Sequence, residues 1–558
     1  MIFEVFAALC AAASLFLVGY VLLTLLGKFS QEECAATSFA ISAPIFAVAA
    51  LAFGYVPPLQ GWAAGVFLVI AFLTAATIFV KKKMYVGLGQ VSKECFLPAV
   101  IVCAFAILFV MLPYPSMSRG EVVPVSLDSQ VRSFYHSAAN DNYLPYRVAQ
   151  FVINRLDPSK TPFVPPALGP WSIFDRTPLM GLISSFFLEA FGYTLPADFL
   201  WSLQPSQQGH SYLLFQMIAT GLNSLLLVSA CLFMKQLFGK NIAKISLAFL
   251  VLNPFLFLNT FYTWPKCFVG YFILLSFYYL VKRESYLLSG FLAGLGYLTH
   301  DLGAFYVAGC VVYSIFRARR SELLKFVTSL SLTVAPWIII TKIVLNHPGA
   351  FLYYPLSTTG LYPVMFEREA LLQRFFSTPI ATLIWIRVVN AFYLLLPTRL
   401  ASFTWQPAIG NTLAPLVMHQ LPGAIGLLIF PFAYFAVAKN LIRLKAEIMS
   451  FLAVPILLLV LYIGWPYSLA TDLVALHFAE TLIPLLVGFG VGVFSRFRRA
   501  SFLIFILSAV IFYVMMVWSY SGSFSSLLLY PSESLYLGLF LSSYTTVTFM
   551  AIVRNKQW

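Results

Sequence analysis

Apolar residues run along this chain in unbroken blocks of about 20 positions, such as Val5 to Leu26 and Ser501 to Trp518. Alternating apolar and polar positions in segments of about ten residues would predict a β-barrel, and that pattern is not what the blocks show. The blocks predict membrane-crossing helices at 5–27, 38–56, 62–80, 95–113, 212–234, 243–262, 267–281, 286–300, 302–316, 324–345, 421–438, 446–464, 478–494, 501–519 and 536–553. Two longer polar stretches interrupt them, 114–211 and 346–420. The reading is an all-α polytopic membrane protein with about 15 transmembrane helices and a large first outer loop containing interfacial helices. Composition agrees, with 61% hydrophobic and 10% charged residues and a mean hydropathy of +0.88 over 558 residues.

The net charge of +14 raises nucleic acid as a partner, but the basic residues sit beside the ends of apolar blocks: Lys81, Lys82 and Lys83; Lys282 and Arg283; Arg317, Arg319 and Arg320; Arg496, Arg498 and Arg499; Arg554 and Lys556. That is the distribution of cytoplasmic loops, so no nucleic-acid partner is expected. It puts the N-terminus outside, the C-terminus in the cytoplasm, and all six histidines on or near the outer face. The first block lacks a basic leader and a clear cleavage site, so no cleavable signal is expected. The run from Phe376 to Pro397 reads as interfacial or re-entrant, and Pro178 to Tyr193 as lying at the outer interface. Seven scattered cysteines read as packing residues.

The outer loop concentrates chemistry. If the segment from Asp128 is helical, Arg132, His136 and Asn140 follow it at four-residue steps on one face, with Asp141 one position round. A carboxylate there can act as a base, and Arg132 or Arg147 can bind phosphate or neutralise the carboxylates. Asp175 precedes Arg176, Thr177 and Pro178, where an acid also serves as a helix cap; Arg176 would meet a lipid phosphate at the membrane surface. Lys266, after Trp264 and Pro265, is a cation at an outer boundary, suited to a lipid phosphate and equally to snorkelling. His300 and Asp301 break two apolar blocks, as a polar cavity lining or a tight turn does. No metal-ligand spacing, phosphate-cradling loop or Ser-His-Asp arrangement emerges, and a divalent metal is left open.

Several short motifs then follow in order: Asp175-Arg-Thr-Pro-Leu179, Leu237-Phe-Gly239, Leu252-Asn-Pro254, Tyr262-Thr-Trp-Pro-Lys266, and the glycine-rich run Gly290 to His300. In this order the chain resembles the GT-C superfamily of membrane glycosyltransferases, especially the bacterial branch of protein O-mannosyltransferases and lipid A aminoarabinose transferases. The resemblance covers about residues 95–345 and implies a GT-C-like helical fold. It implies a catalytic Asp in the first loop, carried here to Asp128 or Asp141, and a substrate-contacting polar residue before a late Pro-containing span, carried to His477 and Glu480. The chain departs from the family plan in the spans that precede residue 95.

The expected organisation is an N-terminal three-helix membrane extension over 1–94, a catalytic membrane module over 95–345 with outer loop 114–211, a second outer segment over 346–420 and C-terminal helices over 421–558. The expected activity is transfer of a sugar from a polyprenyl-phosphate-linked donor to a glycan, lipid or protein acceptor outside the cytoplasm. Short inner loops leave no room for a nucleotide-sugar domain, and the positive-inside pattern suits a bacterial inner membrane with the site facing the periplasm or exterior. The alternatives are a transporter or flippase of lipid-linked glycans, or a surface-polysaccharide polymerase or ligase.

Overall fold

The computed structural model describes residues 2–56, 62–86, 88–112, 114–118, 121–125, 144–156, 177–194, 210–261, 263–345, 355–356, 368–395, 449–462, 464, 509–510, 512, 531–548 and 550. Its membrane core is helical: α1 (Ile2–Leu26), α2 (Gln31–Tyr55), α3 (Ala63–Lys81), α4 (Leu97–Met111), α5 (Leu144–Ile153), α6 (Leu179–Ala190), α7 (His210–Ser224), α8 (Leu226–Phe238), α9 (Lys240–Val251), α10 (Pro254–Phe261), α11 (Lys266–Tyr278), α12 (Tyr286–Thr299), α13 (Gly303–Arg317) and α14 (Arg320–Ile338). Later come α15 (Arg368–Ser377), α16 (Ile380–Leu395), α17 (Val454–Tyr462) and α18 (Pro531–Thr548). Six described helical stretches are long and apolar enough to cross a membrane, among them α1, α2, α3 and the continuous run His210–Phe238.

Ion pairs, most of them partly exposed, tie together helix ends at one face. Ser30 caps α2 through a capping box with Glu33, and the fully buried Glu33 carboxylate also accepts from Arg283 Nη2 at 2.5 Å and Tyr278 Oη at 2.8 Å. Lys235 bridges Glu32 and Glu94 at 2.5 and 2.8 Å, and Lys240 meets Glu94 at 2.6 Å. This basic face therefore gathers the starts of α2, α4 and α9 and the ends of α8 and α11. At the opposite, loop face, Glu4 Oε1 near the start of α1 accepts from Tyr193 Oη and contacts His210 Nδ1, both at 2.9 Å. Tyr55 Oη donates to the carbonyl of Leu156 at the same end.

Small residues set the helix crossings, as expected where lipid supplies no hydrophobic drive between helices. A Cβ on Gly19 would stand 1.8 Å from the Ser38 carbonyl oxygen, so α1 and α2 cross at backbone contact. Gly290 and Gly294, four residues apart on α12, meet Phe326 and Thr333 of α14 in the same way. The first two helices share one core with α6, α7 and α12, through Phe46, Phe53, Phe186 and Phe187 among others.

Two local features differ from the sequence reading. The outer segment opens with an antiparallel hairpin, β1 (Tyr114–Ser118) paired to β2 (Glu121–Val125) with Tyr114 opposite Val125, which the sequence reading of a loop containing interfacial helices did not include. Helix α6, expected to lie at the outer interface, is packed inside the loop-face half of the bundle, and all residues from Leu179 to Leu188 are buried. Gly181 explains it: a side chain there would meet the Pro145 carbonyl oxygen and Val148 Cβ at 2.6 Å, so only glycine lets α5 and α6 pack together.

Candidate functional site

The run His210–Phe238 holds the most enclosed crossing window, 18 residues that are 94% buried, yet it carries Gln216, Thr220 and Asn223 at i, i+4 and i+7 on one face. Thr220 returns its hydroxyl to the Gln216 carbonyl of its own helix at 2.7 Å, whereas Gln216 and Asn223 serve a break in the neighbouring backbone. Asn253 caps α10, accepting from Leu256 N at 3.1 Å. After α10 ends at Phe261, Thr263 adopts a left-handed conformation (φ 48°) and Pro265 precedes α11. The carbonyls exposed by this break are claimed by side-chain amides: Gln216 donates to Phe261 O at 3.1 Å, and Asn223 to Asn259 O, Thr260 O and Trp264 O at 3.3, 3.2 and 2.9 Å. Asn223 Oδ1 in turn accepts from Phe268 N at 3.1 Å. Non-helical backbone at membrane depth persists only when its polar groups are satisfied in this way.

The break orients Trp264 and Lys266. Both are buried, and the Lys266 ammonium lies 3.2 Å from the centroid of the Trp264 ring. A cation over an indole face in a desolvated setting gains about 2 kcal/mol, far less than full hydration of an ammonium supplies. Lys266 is therefore an enclosed positive charge at the loop-face end of α11, where an anion would be stabilised strongly.

His300 and Asp301 form the second polar group. His300 terminates α12 in extended conformation, and its Nδ1 lies 2.7 Å from Asp301 Oδ1, which also accepts from Leu302 N at 3.0 Å. Both side chains are buried. The Leu302 N–H also lies 3.3 Å from His300 Nδ1, so the imidazole, the carboxylate and this backbone donor form one compact polar turn. Gly303 makes the turn fit, since a Cβ there would stand 2.8 Å from the Gly296 carbonyl oxygen. Gly296 packs on Phe272 and Ile273 of the antiparallel α11. His300, one turn beyond Gly296, thus lies level with the first turn of α11, which begins at Lys266.

Arg147 is buried in α5, and its Nη1 donates to Gln150 Oε1 at 2.6 Å. The adjacent Tyr146 hydroxyl bonds Ser211 Oγ at 3.0 Å, docking α5 on the start of α7, and burial raises the pKa of this phenol. Thr177, just before α6, is 6% exposed, and its hydroxyl has no hydrogen-bond partner among the described residues. Asp128, Arg132, His136, Asn140, Asp141, Asp175, Arg176, His477 and Glu480 lie outside the described residues.

Of the predicted residues, Trp264 is brought against Lys266 and His300 against Asp301, with the two pairs at one end of neighbouring helices; Arg147 belongs to a separate loop-face helix. Sequence reasoning missed Gln216, Asn223, Thr177 and the Glu4 contact. The i, i+4, i+7 amide stripe in an apolar block was a readable signal for the first two. Among the described residues no group of three or more His, Cys, Asp or Glu side chains is placed to hold a metal ion.

No family model and no curated protein matches the sequence. The architecture is similar to the crystal structure of ArnT from Cupriavidus metallidurans bound to undecaprenyl phosphate, with a TM-score of 0.45 and 11% identity over 83% of this chain and 76% of that chain. At that level the similarity is one of general arrangement and carries no functional weight.

Proposed function

We propose that this chain is an integral membrane glycosyltransferase of GT-C type that takes a sugar from a polyprenyl-phosphate donor and passes it to an acceptor outside the cytoplasm. The observation that carries the reading is the convergence of two buried ionisable groups, Lys266 under Trp264 and the His300–Asp301 pair, at one level of the loop face. Ionisable side chains at membrane depth are rare and mark substrate sites. A buried ammonium suits the phosphate that leaves as the glycosidic bond to the carrier breaks.

In this reading Asp128 or Asp141 removes the proton from the acceptor hydroxyl as its oxygen attacks the anomeric carbon. Arg176, Lys266 and one of Arg132 or Arg147 hold the departing phosphate. A single displacement inverts the anomeric configuration. His300, oriented by Asp301, is a second group able to hold a proton or a sugar hydroxyl, and the aromatic Trp264 backs the cation. His136, Asn140, Asp175, His477 and Glu480 complete the proposed substrate contacts.

The test is release of free carrier lipid from a panel of polyprenyl-phosphate sugars by the protein reconstituted in liposomes. Wild type is expected to release carrier, and Asp128→Asn or Asp141→Asn to lose release by at least about 100-fold while inserting normally. Full release by both variants would remove the base assignment. Movement of labelled glycolipid across the bilayer without carrier release would replace the transferase by a transporter.

A further inference from the structure

The sequence reading groups Cys95 and Cys231 with the packing cysteines, but their surroundings set them apart. Cys231 lies on α8 one turn before Lys235, so both project from one face of that helix. Cys95 follows Glu94 in the turn Ser92–Phe96 that leads into α4. The two sulfurs come within 3.0 Å of each other although 136 residues apart in the chain, and both side chains are buried, at 0% and 1% exposure. A disulfide bond is about 2.0 Å long, so joining them needs the sulfurs to approach by about 1 Å. Both cysteines are free thiols.

The pair sits against the charges of the basic face. Cys95 Sγ donates towards Glu32 Oε1 at 3.2 Å, Lys235 Nζ lies 3.7 Å from the same sulfur, and Cys231 Sγ faces the Glu94 carbonyl at 3.5 Å. A carboxylate that can take the thiol proton and an ammonium that can meet the charge left on sulfur are what thiol chemistry uses. The groups touching Cys95 are themselves partly exposed, 33% for Glu32 and 15% for Lys235, which gives water and a small oxidant a way to the sulfur. The positive-inside pattern expects the cytoplasm on this side, where thiols are kept reduced, so a disulfide here is a response to an oxidant and not a permanent bond.

We infer that Cys95 and Cys231 are a redox-responsive dithiol that hydrogen peroxide closes into a reversible disulfide stapling the start of α4 to α8. Glu32 takes the Cys95 proton, the sulfur attacks one peroxide oxygen, the O–O bond breaks, and the departing hydroxide recovers the proton as water. Cys231 sulfur then displaces the hydroxyl of the Cys95 sulfenic acid as a second water, and the S–S bond forms. Two thiols give up two protons and two electrons, and one peroxide is reduced to two waters. Lys235 keeps Glu32 and Glu94 in both states, since neither ion pair uses a thiol. The staple joins two helices that lead to the loop face: α4 runs into the outer segment, and α8 continues from α7, which carries Gln216 and Asn223. The inference does not rest on the transferase reading.

The experiment treats the full chain in liposomes with hydrogen peroxide, quenches with acid, blocks the remaining thiols with N-ethylmaleimide in denaturant and maps peptides by mass spectrometry. Wild type is expected to yield a peptide linking Cys95 to Cys231 in most molecules, and to lose it on treatment with dithiothreitol. Cys231→Ala should stop at the sulfenic acid of Cys95, trapped as its dimedone adduct, whereas Cys95→Ala should leave Cys231 unoxidised. The unfolding temperature of oxidised wild type should stand several degrees above that of the reduced protein and fall back with reductant, because a link closing so long a loop restricts the unfolded chain. Neither alanine variant should show that shift. No link in peroxide-treated wild type, links spread equally to Cys103 or Cys267, or a link that leaves the unfolding temperature unchanged would each overturn the inference.

Discussion

At the basic face, Glu32, Glu33 and Glu94 are matched by Lys235, Lys240, Lys282 and Arg283 across five helix ends. At the loop face, Lys266 lies under an indole, and His300 faces a carboxylate on the next residue of its own turn. The first set joins distant segments, up to 250 residues apart in the chain. The second is held by local interruptions of helices whose backbone is satisfied by Gln216 and Asn223. Charges that cross-link remote segments do the work of assembly, whereas charges presented by a built break in the backbone do the work of a site.

The contrast breaks most visibly at Lys266. Lys266→Ala is expected to lower the rate of carrier release by about 1,000-fold, the upper range for losing one donor that stabilises a developing anion. Stability lost with activity retained would make Lys266 an assembly group. His300→Ala is expected to lower release by about 100-fold, and Asp301→Asn by less, since the amide still orients the ring. Asp301→Asn that keeps full release at unchanged stability would contradict the pairing.

Glu33→Gln sharpens the other side. Its partner Arg283 is partly exposed, so the loss should be about 2 kcal/mol, below the 3–5 kcal/mol of a fully enclosed pair. Activity per folded molecule should stay within twofold. Denaturant titration of detergent-solubilised protein measures the first and the release assay the second. Asn223→Leu falls between the two sets. It leaves three carbonyls and one N–H to find other partners, at about 1–2 kcal/mol in a membrane setting, and activity should fall with it because the break carrying Lys266 loses its anchor.

The parts of this molecule that were legible in the sequence follow from one-dimensional signals. Lysine and arginine at block ends mark, in the sequence reading, one face of the membrane; Arg283, one of them, meets Glu33 at the start of α2, while Lys235 and Glu94, which have no part in that reading, extend the network. Pro265 and the polar residues around it announced the break at 262–266, and His300 with Asp301 announced a polar turn. Partners between helices were not legible. Hydropathy records that Leu179 to Leu188 is short and apolar, but not that Gly181 lets α5 cover it, which is why α6 was expected at the interface and is packed inside. The hairpin at 114–125 was missed because a loop context masks a short pairing segment. The contact of Cys95 with Cys231 was invisible for the same reason as α6: the two lie on elements remote in sequence, and no spacing along the chain pairs them.

The most direct test compares Lys266→Ala with Glu33→Gln in one assay, release of free polyprenyl phosphate by equal amounts of folded protein in liposomes. The account predicts near-normal release by Glu33→Gln and a loss of about three orders of magnitude in Lys266→Ala. Equal release by the two variants, or loss confined to Glu33→Gln, would contradict a donor-phosphate site at the loop face.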